Sequence, residues 1–136
     1  TPVMTSTATS TATPLETPVP YLGVELELSH EIFHPGEQFL FTAAVYNPGP
    51  DIYSSIPMAV LLDVYGDYFW YPGWTRNFET DYIDVDIGVK MISILDFTWP
   101  DVSGSAAGIR FYGALLTPSL NAILGEFDTV SFGWEE

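Results

Sequence analysis

The sequence predicts an all-β domain: an antiparallel β-sandwich of about seven to nine strands behind an extended N-terminal tail. Three observations predict it. Apolar residues recur with period two in several short runs, Gly/Pro turn signals separate those runs, and no stretch carries the long 3.6-residue periodicity of an amphipathic helix.

The tail comes first. Residues 1–20 read TPVMTSTATSTATPLETPVP, with Thr, Ser, Ala and Pro in fifteen places and Glu16 as the single charge. So little apolar surface does not offset the entropy of ordering. Thr/Ser runs broken by Pro have the composition of extended, O-glycosylated stalks. The candidate acceptors are Thr5, Ser6, Thr7, Thr9, Ser10, Thr11, Thr13 and Thr17. Asn47, Asn77 and Asn121 each lack an N-x-[ST] context, so any glycan is expected to be O-linked. The chain opens on Thr1 without a signal-peptide pattern, as expected of a processed or trimmed form. The division is therefore 1–20 as tail or stalk and 21–136 as one domain of ordinary size.

Leu22–Ser29 is the cleanest strand, with Leu22, Val24, Leu26 and Leu28 inward and Glu25, Glu27 and Ser29 toward water. His34-Pro35-Gly36-Glu37 supplies a turn. Gln38–Tyr46 is apolar on both faces, as in a central strand, and Asn47-Pro48-Gly49-Pro50 ends it. Pro57–Tyr65 reads as buried, and Asp67–Tyr71 is an aromatic strand stopped by Pro72-Gly73. Tyr82–Ile87 alternates, with Ile83, Val85 and Ile87 inward and Asp84 and Asp86 outward. Met91–Trp99, Gly108–Leu116 and Phe127–Trp134 complete the set, while Ser119–Leu124 has the spacing of a short helix. Low charge along these strands leaves sheet edges open to strand addition unless something guards them.

The run Leu26–Gly49, LELSHEIFHPGEQFLFTAAVYNPG, resembles the opening of secreted prokaryotic immunoglobulin-like modules of the CARDB type. The shared features are a strand, a Pro-Gly-acid turn, a buried strand, and Asn before a Gly/Pro turn. The resemblance implies an immunoglobulin-like sandwich and an extracellular, non-catalytic domain within larger surface proteins. That family has no fixed site, so no binding residue carries over.

Composition narrows the chemistry. Without Cys there is no disulfide, thiol nucleophile or Cys-based metal site. Eighteen acids face Arg76, Lys90 and Arg110, for a net charge of −15, which repels nucleic acid and anionic membrane. No window approaches the ~18 apolar residues of a spanning helix, so membrane insertion is not expected.

Five constellations carry candidate chemistry. His30-Glu31-Ile32-Phe33-His34 matches H-E-x-x-H, a zinc-peptidase motif that needs a helix to bring both His to one face. A strand leads into it and Pro35-Gly36 follows, so it reads as a turn. Asp81, Asp84 and Asp86 form the densest acidic cluster; they are calcium candidates, against the reading of a solvated strand face, and no other cofactor is expected. The aromatic run around Tyr68, Trp70, Tyr71 and Trp74 suits core packing, a protein interface or a sugar-stacking platform. Glu126 with Asp128, and Ser103-Gly104-Ser105, lack the partners that hydrolysis requires.

The expectation is thus a non-catalytic extracellular or cell-surface structural module. It would be a subunit of a surface assembly or filament, self-associating or bound to other surface proteins, with the tail as stalk or inter-subunit arm. The alternative is a carbohydrate- or receptor-binding module.

Overall fold

The computed structural model describes residues 21–136, and the tail with its candidate glycosylation positions lies outside them. The described residues are all-β and contain no helix. Nine strands form: β1 (Gly23–Leu28), β2 (Ile32–Phe33), β3 (Gln38–Asn47), β4 (Tyr53–Val64), β5 (Asp67–Trp70), β6 (Asp81–Val85), β7 (Gly88–Thr98), β8 (Ala106–Leu116) and β9 (Ile123–Trp134).

They join into one curled sheet in the order β5-β4-β8-β9-β1-β3-β7, with β6 on β4 and β2 on β9. Most pairs are antiparallel, but β1 meets β9 in parallel at Gly23↔Glu126, and β2 meets β9 in parallel at Ile32↔Gly133 and Phe33↔Trp134. This corrects the expectation of a wholly antiparallel sheet. Adjacent hairpins fix their own direction through short turns, whereas strands from opposite ends of the domain meet without a turn to orient them.

Curling brings β3 and β8 face to face. Phe41 stacks on Phe111 at a centroid distance of 4.0 Å, and Phe39 meets Phe132 edge-on at 5.4 Å. Val24, Leu26, Met58, Val60, Val85 and Leu115 fill the same buried cluster. The alternation expected in β1 holds, with Val24 and Leu26 buried and Glu27 exposed. Among the described residues Asn47 is the one buried polar residue of the core; its Nδ2 donates to the Asp51 carbonyl at 2.8 Å and its Oδ1 accepts from the Gly49 amide at 2.9 Å, which closes the Asn-Pro-Gly-Pro turn.

Three local expectations fail for identifiable reasons. Residues 119–124 form a turn running into β9, closed by Thr117 N–H to the Ala122 carbonyl at 3.0 Å. Ile87 is exposed, because the chain leaves β4's flank after Val85 to reach β3, and alternation stops there. Ile32-Phe33, read within a turn, pairs with β9 and puts Phe33 fully in the core.

The edges are protected. β5 and β6 are short and share one flank of β4. β7 ends the sheet with eleven residues and is the long edge. It carries a bulge at Ile94, since Phe41 pairs with Leu95 and Thr42 with Ser93. Lys90 sits opposite core-facing Val45, and its Nζ donates to the Asp84 carbonyl at 2.6 Å. A bulge and an inward-pointing charge are two devices that discourage strand addition.

Candidate functional site

Strand pairing decides which way the aromatic run faces. Trp70 pairs with Leu61 and Tyr68 with Asp63, so both turn to the outer face of β4. Tyr68 is exposed and Trp70 half-buried. Tyr71 and Trp74 go the other way. Trp74 lies 5.9 Å from the Phe111 ring and 5.7 Å from Tyr71, against the core. Burial first, and then the charge of Asp81, pushes the Tyr71 phenol above its ordinary value. The four aromatics therefore do not form one surface.

Trp70 instead joins residues distant in sequence to form a groove of about 340 Å³ on the outer face of the β4-β8-β9 segment. Its floor is made of small or flat groups: Ala59, Gly113, Ala114 and the Tyr112 ring. Trp70 and Phe78 wall it on the β5 side, Phe127 and Ile123 on the β9 side. None of its lining residues carries a charge. Phe78, Ile123 and Phe127 are each about half exposed.

Each wall has a local cause. After β5 the chain turns at Pro72-Gly73 and comes back, with Trp70 N–H donating to the Thr75 carbonyl at 2.7 Å. Glu79 pins the loop: its carboxylate accepts from the Gly73 amide at 3.0 Å and the Thr75 hydroxyl at 2.7 Å. That places Phe78 edge-on to Trp70, with centroids 4.8 Å apart and planes at 74°. On the other side, Gly113 pairs with Asp128 and Leu115 with Leu124. Three residues of β9, Gly125–Phe127, thus stand opposite one of β8. The resulting bulge carries Phe127 to the groove.

The other sequence candidates disperse. Asp84 accepts the amide of Ser55, whose φ of 53° marks the bulge in β4, and the amide of Tyr82 donates to Asp81. Asp86 lies exposed between β6 and β7. Among the described residues no three His, Cys, Asp or Glu side chains are grouped to hold a metal ion, so the three aspartates are not brought together as a calcium site. Asp128, of the Glu126/Asp128 pair, accepts the Leu26 amide at 2.8 Å and helps join β1 to β9.

The H-E-x-x-H segment is extended, not helical. Exposed His30 packs edge-on to Phe33, while His34 lies 3.2 Å from Glu37 through Nδ1 and 3.3 Å from Glu135 through Nε2. Hydrogen bonding to Glu135, then to Glu37, raises the His34 pKa above 6.5. Because the folded value is the higher one, the stabilising contribution is complete below the unfolded pKa and is lost as pH rises through the folded pKa. An NMR titration is expected to place the His34 midpoint above 6.5, and Glu135→Gln to bring it back down. An unchanged midpoint in that variant would show that the contact is absent in solution.

No family model and no curated protein matches the chain. Among solved structures, the chain is similar to the sporulation control protein Spo0M from Bacillus subtilis, at 15% identity and a TM-score of 0.47. The alignment covers 85% of this chain and 50% of Spo0M, so the chain spans about half the length of that neighbour. A likeness of that degree identifies neither a family nor a function.

Proposed function

We propose that this chain is a non-catalytic, immunoglobulin-like β-sandwich module that acts outside the cell as a contact subunit of a surface assembly, with Thr1–Pro20 as its stalk or inter-subunit arm. The observation that carries the reading is the charge-free apolar groove between Trp70/Phe78 and Phe127/Ile123 on a chain of net charge −15. Contiguous exposed apolar surface is costly in water and marks places where something docks. The resemblance of Leu26–Gly49 to secreted immunoglobulin-like modules points the same way.

The groove suits a protein contact better than a sugar. Its lining offers only the Tyr112 hydroxyl and the Trp70 indole N–H as side-chain polar groups, and a pyranose held there would leave most of its hydroxyls without partners. Phe78 stands edge-on to Trp70, and Trp74 is turned into the core, so a flat platform of adjacent rings is not built.

The test compares the full chain with Phe78→Ser/Ile123→Ser. Both residues are half exposed, so the variant is expected to unfold at nearly the same denaturant concentration. Wild type is expected to sediment with native surface material and to appear in its assemblies by electron microscopy, and the variant to be released by about tenfold. Equal retention of the two proteins would rule the groove out as the contact.

A further inference from the structure

Resting on the reading of the groove as a contact surface, we infer that its occupant is a basic segment of a different protein. That segment inserts an aromatic or branched apolar side chain between the two walls and carries Lys or Arg on either side of it. The volume, about 340 Å³, is at the small end of the roughly 300–1,000 Å³ typical of ligand pockets, which suits one or two side chains. The walls and floor are uncharged, so the anchor itself must be apolar.

Charge decides what flanks the anchor. Eighteen acids, all but Glu16 within residues 21–136, against three cations make the body strongly negative. Arg76 is paired to Asp67 at 3.2 Å and lies over the Phe69 ring, and Lys90 is committed to the Asp84 carbonyl on the far edge. Arg110 shares the groove's sheet face but stands opposite Asp63. Both walls have a carboxylate next to them in sequence: Glu79, which holds the Gly73 amide and the Thr75 hydroxyl, follows Phe78, and Glu126 precedes Phe127. A second copy would bring the same surplus of negative charge, and an anionic amphiphile or lipid would meet the same repulsion. A cationic partner is steered in and held.

Three synthetic peptides titrated into the full chain test this: Lys-Lys-Leu-Trp-Leu-Lys-Lys, the same peptide with Glu in place of Lys, and the Lys peptide with Ser in place of its apolar centre. The first is expected to bind about tenfold or more tighter than either control, and to weaken as salt rises through the Debye range. It is expected to fall to control level on Phe78→Ser/Ile123→Ser. Equal binding of the Glu peptide would show that flanking charge is irrelevant, and equal binding to the variant would reduce the effect to surface charge; either result overturns the inference. If no peptide binds while the variant is still released from native surface material, the basic partner is wrong and the contact surface stands. If the variant is neither released nor weakened in binding, both fall. Concentration-dependent self-association abolished by the same variant would replace the basic partner with a second copy.

Discussion

Replacing Gly125 by alanine is expected to cost the fold roughly 3–5 kcal/mol, a large share of the ~5–15 kcal/mol that holds a domain of this size. Two independent effects add. Gly125 has a φ of 80°, in the left-handed region where a Cβ is strained. Its added Cβ would also land on the backbone carbonyl of Leu22, which cannot swing away as a side chain could. That carbonyl already accepts the Glu126 amide at 2.9 Å, the bond that seats β1 against β9. Gly104 supplies the control. Its φ is 83°, nearly the same, but an added Cβ there meets nothing within 4 Å. Gly104→Ala should therefore cost only the backbone strain, about 1–2 kcal/mol. Urea unfolding of the two variants isolates the steric part. Equal midpoints would mean that β1 does not cross β9 where the structure puts it. The same bulge carries Phe127, so Gly125→Ala should also weaken groove binding in whatever fraction stays folded.

That crossing also shows where the sequence stops being legible. Strands bounded by strong punctuation read correctly: Leu22–Ser29 by its alternation, and Gln38–Tyr46 by the Pro-Gly before it and Asn-Pro-Gly-Pro after it. Both signals are local, and period two is enforced wherever one face is buried. The parallel meeting of Gly23 with Glu126 is a contact across nearly the whole domain, and no local pattern encodes its direction. The turn at 117–122 misled because Leu120, Ile123 and Leu124 have helical spacing, yet Ile123 pairs with Leu116 in a ladder.

The groove was half visible in the same way. Trp70 stands out as part of an aromatic run, and its outward direction follows only from its pairing with Leu61. Phe78 and Phe127 each sit between polar neighbours, Tyr112 lies within an apolar strand, and nothing in the chain announces that the three converge. A usable signal did exist. Ala59 and Leu61, like Tyr112, Ala114 and Leu116, are the outward members of strands apolar on both faces. A strand apolar on both sides needs something to cover its second face. Here the cover on that face is partial, which is what leaves a groove.

Lys90→Val is expected to turn β7 into an adhesive edge. At equal concentration the variant should self-associate at least about tenfold more strongly than wild type, or ~1.4 kcal/mol, seen as a concentration-dependent rise in mass by light scattering. The fold itself should tolerate the change, since Val would lie beside Val45 on the core-facing side and suits a strand. What disappears is the one inward-pointing charge on an eleven-residue edge whose outer neighbours Val89 and Met91 are exposed and apolar. Net charge predicts the opposite result, which makes the experiment decisive. Removing a cation takes the chain from −15 to −16, and greater like-charge repulsion should keep copies further apart. If Lys90→Val associates no more than wild type, long-range charge governs contacts between copies, and the Ile94 bulge alone suffices to guard the edge. If it associates and Lys90→Arg does not, a charge at that one position separates an edge that stays free from one that polymerises. An assembly built from this module would then have to use contacts other than that edge, because the edge that could zip copies together is closed by a lysine.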